Sequence, residues 1–132
     1  MNPLTNSKPE RYLNVCFQIH QPRHLPPHGF FDNGSANVNV DDDLNRDIIR
    51  KMARNCYQPV NLMLLKLIHK FPKFKITFSI SGVALEQLDS YCPAVIESFR
   101  MLASSDSVEF LSEPYNHSLC SLIDTQEFIH EV

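Results

Sequence analysis

A change of hydrophobic period, repeated along the chain, limits this sequence to few folds. Leu13, Val15, Phe17 and Ile19 alternate with Asn14, Cys16, Gln18 and His20. Period two in residues rich in β-branched and aromatic types predicts a strand. Pro22 stops it, and Pro26-Pro27 keeps either regular structure from resuming. Phe74, Ile76, Phe78 and Ile80 alternate with Lys75, Thr77, Ser79 and Ser81 as a second strand, which Gly82 breaks. Val108–Leu111 reads as a short third strand. Between the strands the apolar spacing lengthens to three and four. Leu44, Ile48, Ile49, Met52, Ala53 and Cys56 form one face of an amphipathic helix, with Asp41, Asp42 and Asp43 supplying its cap and first-turn acids. Pro59 ends or restarts that helix, and 60–68 continues as a second, more buried one. Residues 83–102 are helical in pattern, interrupted at Pro93, a residue suited to a first helical turn. Asp124 or Thr125 begins a last helix through Phe128 and Ile129.

Strands separated by such long helical stretches pair in parallel through right-handed crossovers. The expected fold class is therefore α/β, with parallel strands and helical crossovers. Three strands are few for such a sheet, because parallel strands need cover on both faces. The expectation is the first part of a larger domain, with a compact three-stranded domain as the alternative. Residues 1–11 read as a flexible leader and 12–132 as one unit, in which 22–43 is a long connection of the kind that is usually functional.

Composition narrows the function classes. The 132 residues are 43% hydrophobic and 20% charged, a globular balance that excludes wholesale disorder. A net charge of −3 gives no bulk attraction to nucleic acid. No apolar run is long enough to span a bilayer, so no membrane partner is expected. The start lacks a secretory pattern, and Cys16, Cys56, Cys92 and Cys120 form no CxxC pair. Four reduced thiols in a cytoplasmic protein are the expectation.

The polar residues of the strands point to a site. Asn14, Cys16, Gln18 and His20 share one face of the first strand, and Thr77, Ser79 and Ser81 share one face of the second. Two neighbouring polar faces suggest a lined, wet cavity or a solvated sheet face. His20, Gln21 and Pro22 fall at the carboxyl end of the first strand. Glu109 lies in the third strand, with Glu113, Tyr115, Asn116 and His117 just beyond it. Parallel sheets bind ligands past the carboxyl ends of their strands, so these residues converge at one rim. Three chemistries fit there. A metal could use His20, His117 and an acid, though no local ligand pair supports it. A Cys16–His20 pair is a weak nucleophilic arrangement. Glycoside hydrolysis needs two carboxylates, and Glu109 and Glu113, four residues apart, are not expected to be that pair.

Val15-Cys16-Phe17-Gln18-Ile19-His20-Gln21-Pro22, followed by Leu25, resembles the first signature of the family 57 glycoside hydrolases. The segment from Val108 to Ser118, Val-Glu-Phe-Leu-Ser-Glu-Pro-Tyr-Asn-His-Ser, resembles the second. Phe78-Ser79-Ile80-Ser81-Gly82 is similar to the strand-two segment of the α-amylase-like members. The resemblance runs from about residue 13 to the end of the chain.

The resemblance implies a (β/α)7 barrel, of which this chain would hold the first three βα units, incomplete. It implies a retaining mechanism on α-glucans, in an amylase or a 4-α-glucanotransferase. The partner it implies is an α-glucan or maltooligosaccharide, with no cofactor and no metal. His20, Gln21 and His117 would contact the sugar and Glu109 would support the same subsite. Gln18 stands where the family often has histidine, and Asp106 and Ser118 where it usually has Gly and Pro. The family's nucleophile, a Glu on strand four, and its acid, an Asp on strand seven, lie beyond these residues. No catalytic residue is therefore expected among the 132. Two readings compete: a stand-alone carbohydrate-binding or interaction module, and a metal-dependent polysaccharide deacetylase relative.

Overall fold

A computed structural model describes residues 13–26 and 40–132. The proposed leader at 1–11 and most of the 22–43 connection lie outside the described residues. Strand β1 (Cys16–Ile19) leads to helix α1 (Asp42–Met52), a π-helical turn (Ala53–Tyr57) and helix α2 (Gln58–Lys70). Strand β2 (Ile76–Ile80) is followed by α3 (Gly82–Tyr91) and α4 (Pro93–Ala103), then by strand β3 (Val108–Leu111). A 3-10 turn (Cys120–Leu122) and helix α5 (Thr125–Glu131) complete the described elements. The strands form one parallel sheet in the order β1-β2-β3.

The expected elements form, with two differences of extent. β1 and β2 are shorter than their alternating patterns. Leu13 is 88% exposed and lies outside the core that the described residues form. Phe74 is taken up by a turn, its N–H donating to the Phe71 carbonyl at 2.8 Å. At Pro59 a second helix starts as expected, with the proline in the first turn of α2, and a π-helical turn rather than a break joins it to α1. Proline has no N–H and its ring crowds the preceding turn. The π-helical turn just before α2 widens the backbone there and lets the helix continue. Asp41 caps α1 as expected, accepting from the Leu44 N–H at 3.0 Å. Asp124 caps α5, accepting from the Gln126 and Glu127 N–H groups at 2.8 and 3.2 Å.

Register explains the core. Phe17 pairs with Phe78, and Phe78 with Phe110, so three rings stand side by side on one face of the sheet. Ring centroids are 5.2 Å apart for Phe17–Phe78 and 5.4 Å for Phe78–Phe110, both stacked. Phe99 of α4 meets Phe78 edge-on at 5.6 Å. Ile49, Leu64, Leu88, Val95 and Leu102 bring the helices onto that same face. The opposite face then carries Cys16, Gln18, Thr77, Ser79 and Glu109, because alternate residues point to opposite sides.

Two buried amides fix the helices laterally. Asn45 accepts from the His24 N–H at 2.7 Å and donates to the His24 and Asp41 carbonyls. Asn61 donates to Ser98 Oγ at 2.8 Å, joining α2 to α4. Among the described residues β1 and β3 each pair only with β2, so both present an open edge. A groove of about 750 Å³ runs beside β3, lined by Ile80, Leu85, Ile96, Phe99 and Phe110 among others.

Candidate functional site at the carboxyl rim

Neighbouring strands lie about 4.8 Å apart, so β1 and β3, on either side of β2, stand roughly twice that distance from each other. Yet the His20 and His117 rings lie with centroids 4.8 Å apart and planes inclined by 33°. They meet because the chain after β3 turns back across the end of β2. The His117 N–H donates to the Pro114 carbonyl at 2.8 Å, closing a tight turn. His117 itself has φ 55°, the left-handed region that non-glycine residues seldom occupy outside turns.

The polar faces of β1 and β2 supply the rest of the site. The Gln18 amide nitrogen donates toward the His117 ring, 3.1 Å from Nε2 and 3.3 Å from Nδ1. His20 Nδ1 and Ser81 Oγ share a hydrogen bond of 2.8 Å. The Ser79 hydroxyl donates to Glu113 Oε2, which lies 3.5 Å from His117 Nδ1. The Glu113 side chain is only 8% exposed, and its Oε1 is buried without a partner among the described residues. Two imidazoles, an amide, two hydroxyls and a carboxylate thus converge at the carboxyl ends of the strands.

Each sequence-predicted site residue can now be placed. His20 and His117 come together. Gln21 contributes through its backbone, its carbonyl accepting from Gln87 Nε2 at 2.7 Å. Glu109 does not join them. Its register partner is Thr77, two residues before Ser79, and it lines a hollow with Leu13, Asn14, Lys75, Asp106 and Ser107. That hollow lies at the amino ends of the strands, about 13 Å of strand below the level of Ser81. The carboxylate beside the imidazoles is Glu113. The expectation that Glu109 sits near them is thereby corrected: β3 keeps its pleat only to Leu111, and the turn beyond it, not the strand, delivers the acid. Strand parity alone could not show this, because Glu113 lies past the end of the strand.

Contacts that bind the rim from outside were not legible in the sequence. Arg23 pairs with Glu86 at 2.7 Å, and the Tyr115 hydroxyl donates to Glu86. That hydrogen bond, more than the Arg23 guanidinium, holds the Glu86 carboxyl below its usual range, and it raises the Tyr115 phenol in turn. Arg23, Glu86 and Tyr115 are more than a turn apart in sequence, so no local pattern announces them.

Burial lowers the His20 pKa, and the neighbouring His117 lowers it further against an opposing pull from Glu113. Among the described residues, those are the titratable groups that face the ring. The unfolded histidine takes its proton near pH 6.5, the folded one only at lower pH. This contribution to stability is therefore present above the unfolded value and is lost as pH falls through the folded one. Urea midpoints measured between about pH 7 and 5 are expected to fall for the wild type and to fall less for His20→Gln. Equal falls in the two proteins would show that His20 does not titrate in this way.

Among the described residues, no three His, Cys, Asp or Glu side chains are grouped to hold a metal ion. The four cysteines are unpaired. No helix among the described residues is long and apolar enough to cross a membrane.

Comparison with known proteins identifies the family. The sequence profile of "Glycosyl hydrolase family 57" matches residues 15–132. The chain belongs to glycosyl hydrolase family 57. A Methanocaldococcus jannaschii protein named "Putative alpha-amylase" is 37% identical over 123 residues, which is 91% of this chain and 26% of the relative. The chain thus spans about a quarter of the length of that curated relative. The crystal structure of the 4-alpha-glucanotransferase from Thermococcus litoralis matches 91% of this chain and 16% of its own, with TM-score 0.54 and 18% identity. That likeness concerns the fold, and it is consistent with three parallel strands and their helices as part of a larger α/β architecture.

Proposed function

We propose that these 132 residues are the N-terminal part of an α-glucan-active, retaining glycoside hydrolase of the α-amylase or 4-α-glucanotransferase type. In this reading they form the first three βα units of a (β/α)7 barrel and carry part of its sugar-binding floor. The observation that supports it most is the pairing of His20 with His117 at the carboxyl ends of β1 and β3, within the family match. The imidazole nitrogens and the Gln18 amide offer donors and acceptors for sugar hydroxyls, and the buried Ser81 hydroxyl orients the His20 ring. The Gln21 carbonyl, bound by Gln87 Nε2, ties the segment after His20 to α3. Glu109, at the other end of the sheet, would support the subsite only from a distance. The proposed partner is a maltooligosaccharide, bound without cofactor or metal. The unpaired thiols support a reducing, cytoplasmic compartment.

Titration of the 132-residue chain with maltoheptaose tests this reading. Saturable binding is expected, weakened about ten-fold by His117→Ala, the size of effect that follows from losing one or two hydrogen bonds at a binding site. No binding, or binding that His20→Ala and His117→Ala leave unchanged, would overturn it. Binding of an unrelated β-linked glucan with equal strength would favour a general carbohydrate-binding module instead.

A further inference from the structure

The first N–H groups of a helix need acceptors from outside it. Ser81 stands at the cap position of α3 and is of the residue type that usually supplies one. Its side chain makes no capping hydrogen bond. Its hydroxyl is engaged with His20 Nδ1 at 2.8 Å. The Val83 N–H instead donates to the Tyr115 carbonyl at 3.1 Å. The loop after β3 therefore caps α3, and Ser81 is free to hold His20.

Tyr115 reaches that place because residue 82 is glycine. A Cβ on Gly82 would fall 2.9 Å from Tyr115 Cγ and nearer still to Cδ2 and Cε2. These are atoms of a ring held at both ends, not the tip of a flexible side chain. The Tyr115 hydroxyl is bound to Glu86, itself paired with Arg23. The Tyr115 N–H donates to the Glu131 carbonyl at 2.9 Å, and the Asn116 N–H and Ser118 hydroxyl donate to Glu131 Oε2, each at 3.1 Å. The turn that carries His117 is thus pinned from α3 on one side and α5 on the other.

We infer that Gly82 and Tyr115 are positioning residues: the ring seated on the glycine sets His117 against His20 and releases Ser81 to orient the His20 ring. The inference deepens the proposed sugar site and rests on that reading for its functional consequence. Its structural consequence stands by itself. Helix propensity gives the opposite expectation for Gly82, since alanine is the better helix former. A glycine with no seat to provide would be improved by Gly82→Ala.

The test compares Gly82→Ala, Tyr115→Phe, Tyr115→Ala and the Gly82→Ala/Tyr115→Ala pair in the full 132-residue chain. Gly82→Ala is expected to lower the thermal midpoint by about 4 °C or more. It should also remove the NMR cross-peaks between the His20 and His117 rings. Tyr115→Phe keeps the ring and the carbonyl cap, so it should retain those cross-peaks. In the Tyr115→Ala background the Gly82→Ala penalty should vanish or reverse, the signature of two residues in contact. Where the wild type binds maltoheptaose, Gly82→Ala should weaken binding about ten-fold. A Gly82→Ala protein with a raised midpoint and intact inter-ring cross-peaks would overturn the inference. So would a penalty that persists in Tyr115→Ala. A wild type that binds no maltoheptaose would refute the sugar site, while midpoints and cross-peaks still judge the seat.

Discussion

The 132-residue chain incubated with starch or maltooligosaccharides is expected to release no product above a heat-killed control. Retaining hydrolysis of a glycosidic bond needs two carboxyl groups roughly 5 Å apart, one as nucleophile and one as acid. Among the described residues three carboxylates stand near the rim, and each has at least one oxygen in a hydrogen bond. Glu113 accepts from Ser79, Glu86 from Tyr115, and Glu131 from Asn116 and Ser118. Glu109 lies at the opposite end of the sheet. Enzymes exceed the uncatalysed rate by factors of about 10⁶ or far more, so a chain without such a pair would turn over nothing measurable. Glucan-dependent product that disappears in Glu109→Gln or Glu113→Gln would refute this and make that carboxylate catalytic.

Phe78→Ala is expected to unfold the chain near room temperature. Phe78 is 1% exposed and lies between Phe17 and Phe110 with Phe99 at its edge. Deleting a buried phenylalanine costs about 3–5 kcal/mol, the lost burial plus the cavity left behind. Whole domains of this size are stable by only about 5–15 kcal/mol. A sheet whose two edges pair with nothing among the described residues, with an apolar groove beside β3, falls toward the low end of that range. Far-ultraviolet circular dichroism through a thermal ramp measures the effect. A sharp transition at the wild-type midpoint would show that the ring stack does not hold the sheet to its helices.

The sequence by itself determined the order and kind of the elements. The change from period two to period three-four marked each strand and helix, and parallel pairing followed because each connection is too long for a hairpin. Asp41 and Asp124 marked helix starts by chemistry that acts within three residues. His20 and His117 were legible as rim residues for a related reason, since strand ends in a parallel sheet face one way. Pro59 was the limit of such local reasoning: the sequence shows the missing N–H, but only the folded helix shows a π turn absorbing it.

Tertiary structure alone decided which carboxylate joins the histidines. The expectation for Glu109 comes from the family resemblance, and strand alternation gives its face of the sheet but not its level along it. Glu113 arrives through a turn whose path is set by a ring resting on Gly82 and by hydrogen bonds from α3 and α5. Those contacts join residues that are far apart in sequence, such as Arg23 with Glu86 and Gln18 with His117. Periodicity records only the average direction of a side chain within one element. The approach of two loops over the end of a third strand depends on packing among elements, and no local pattern carries it.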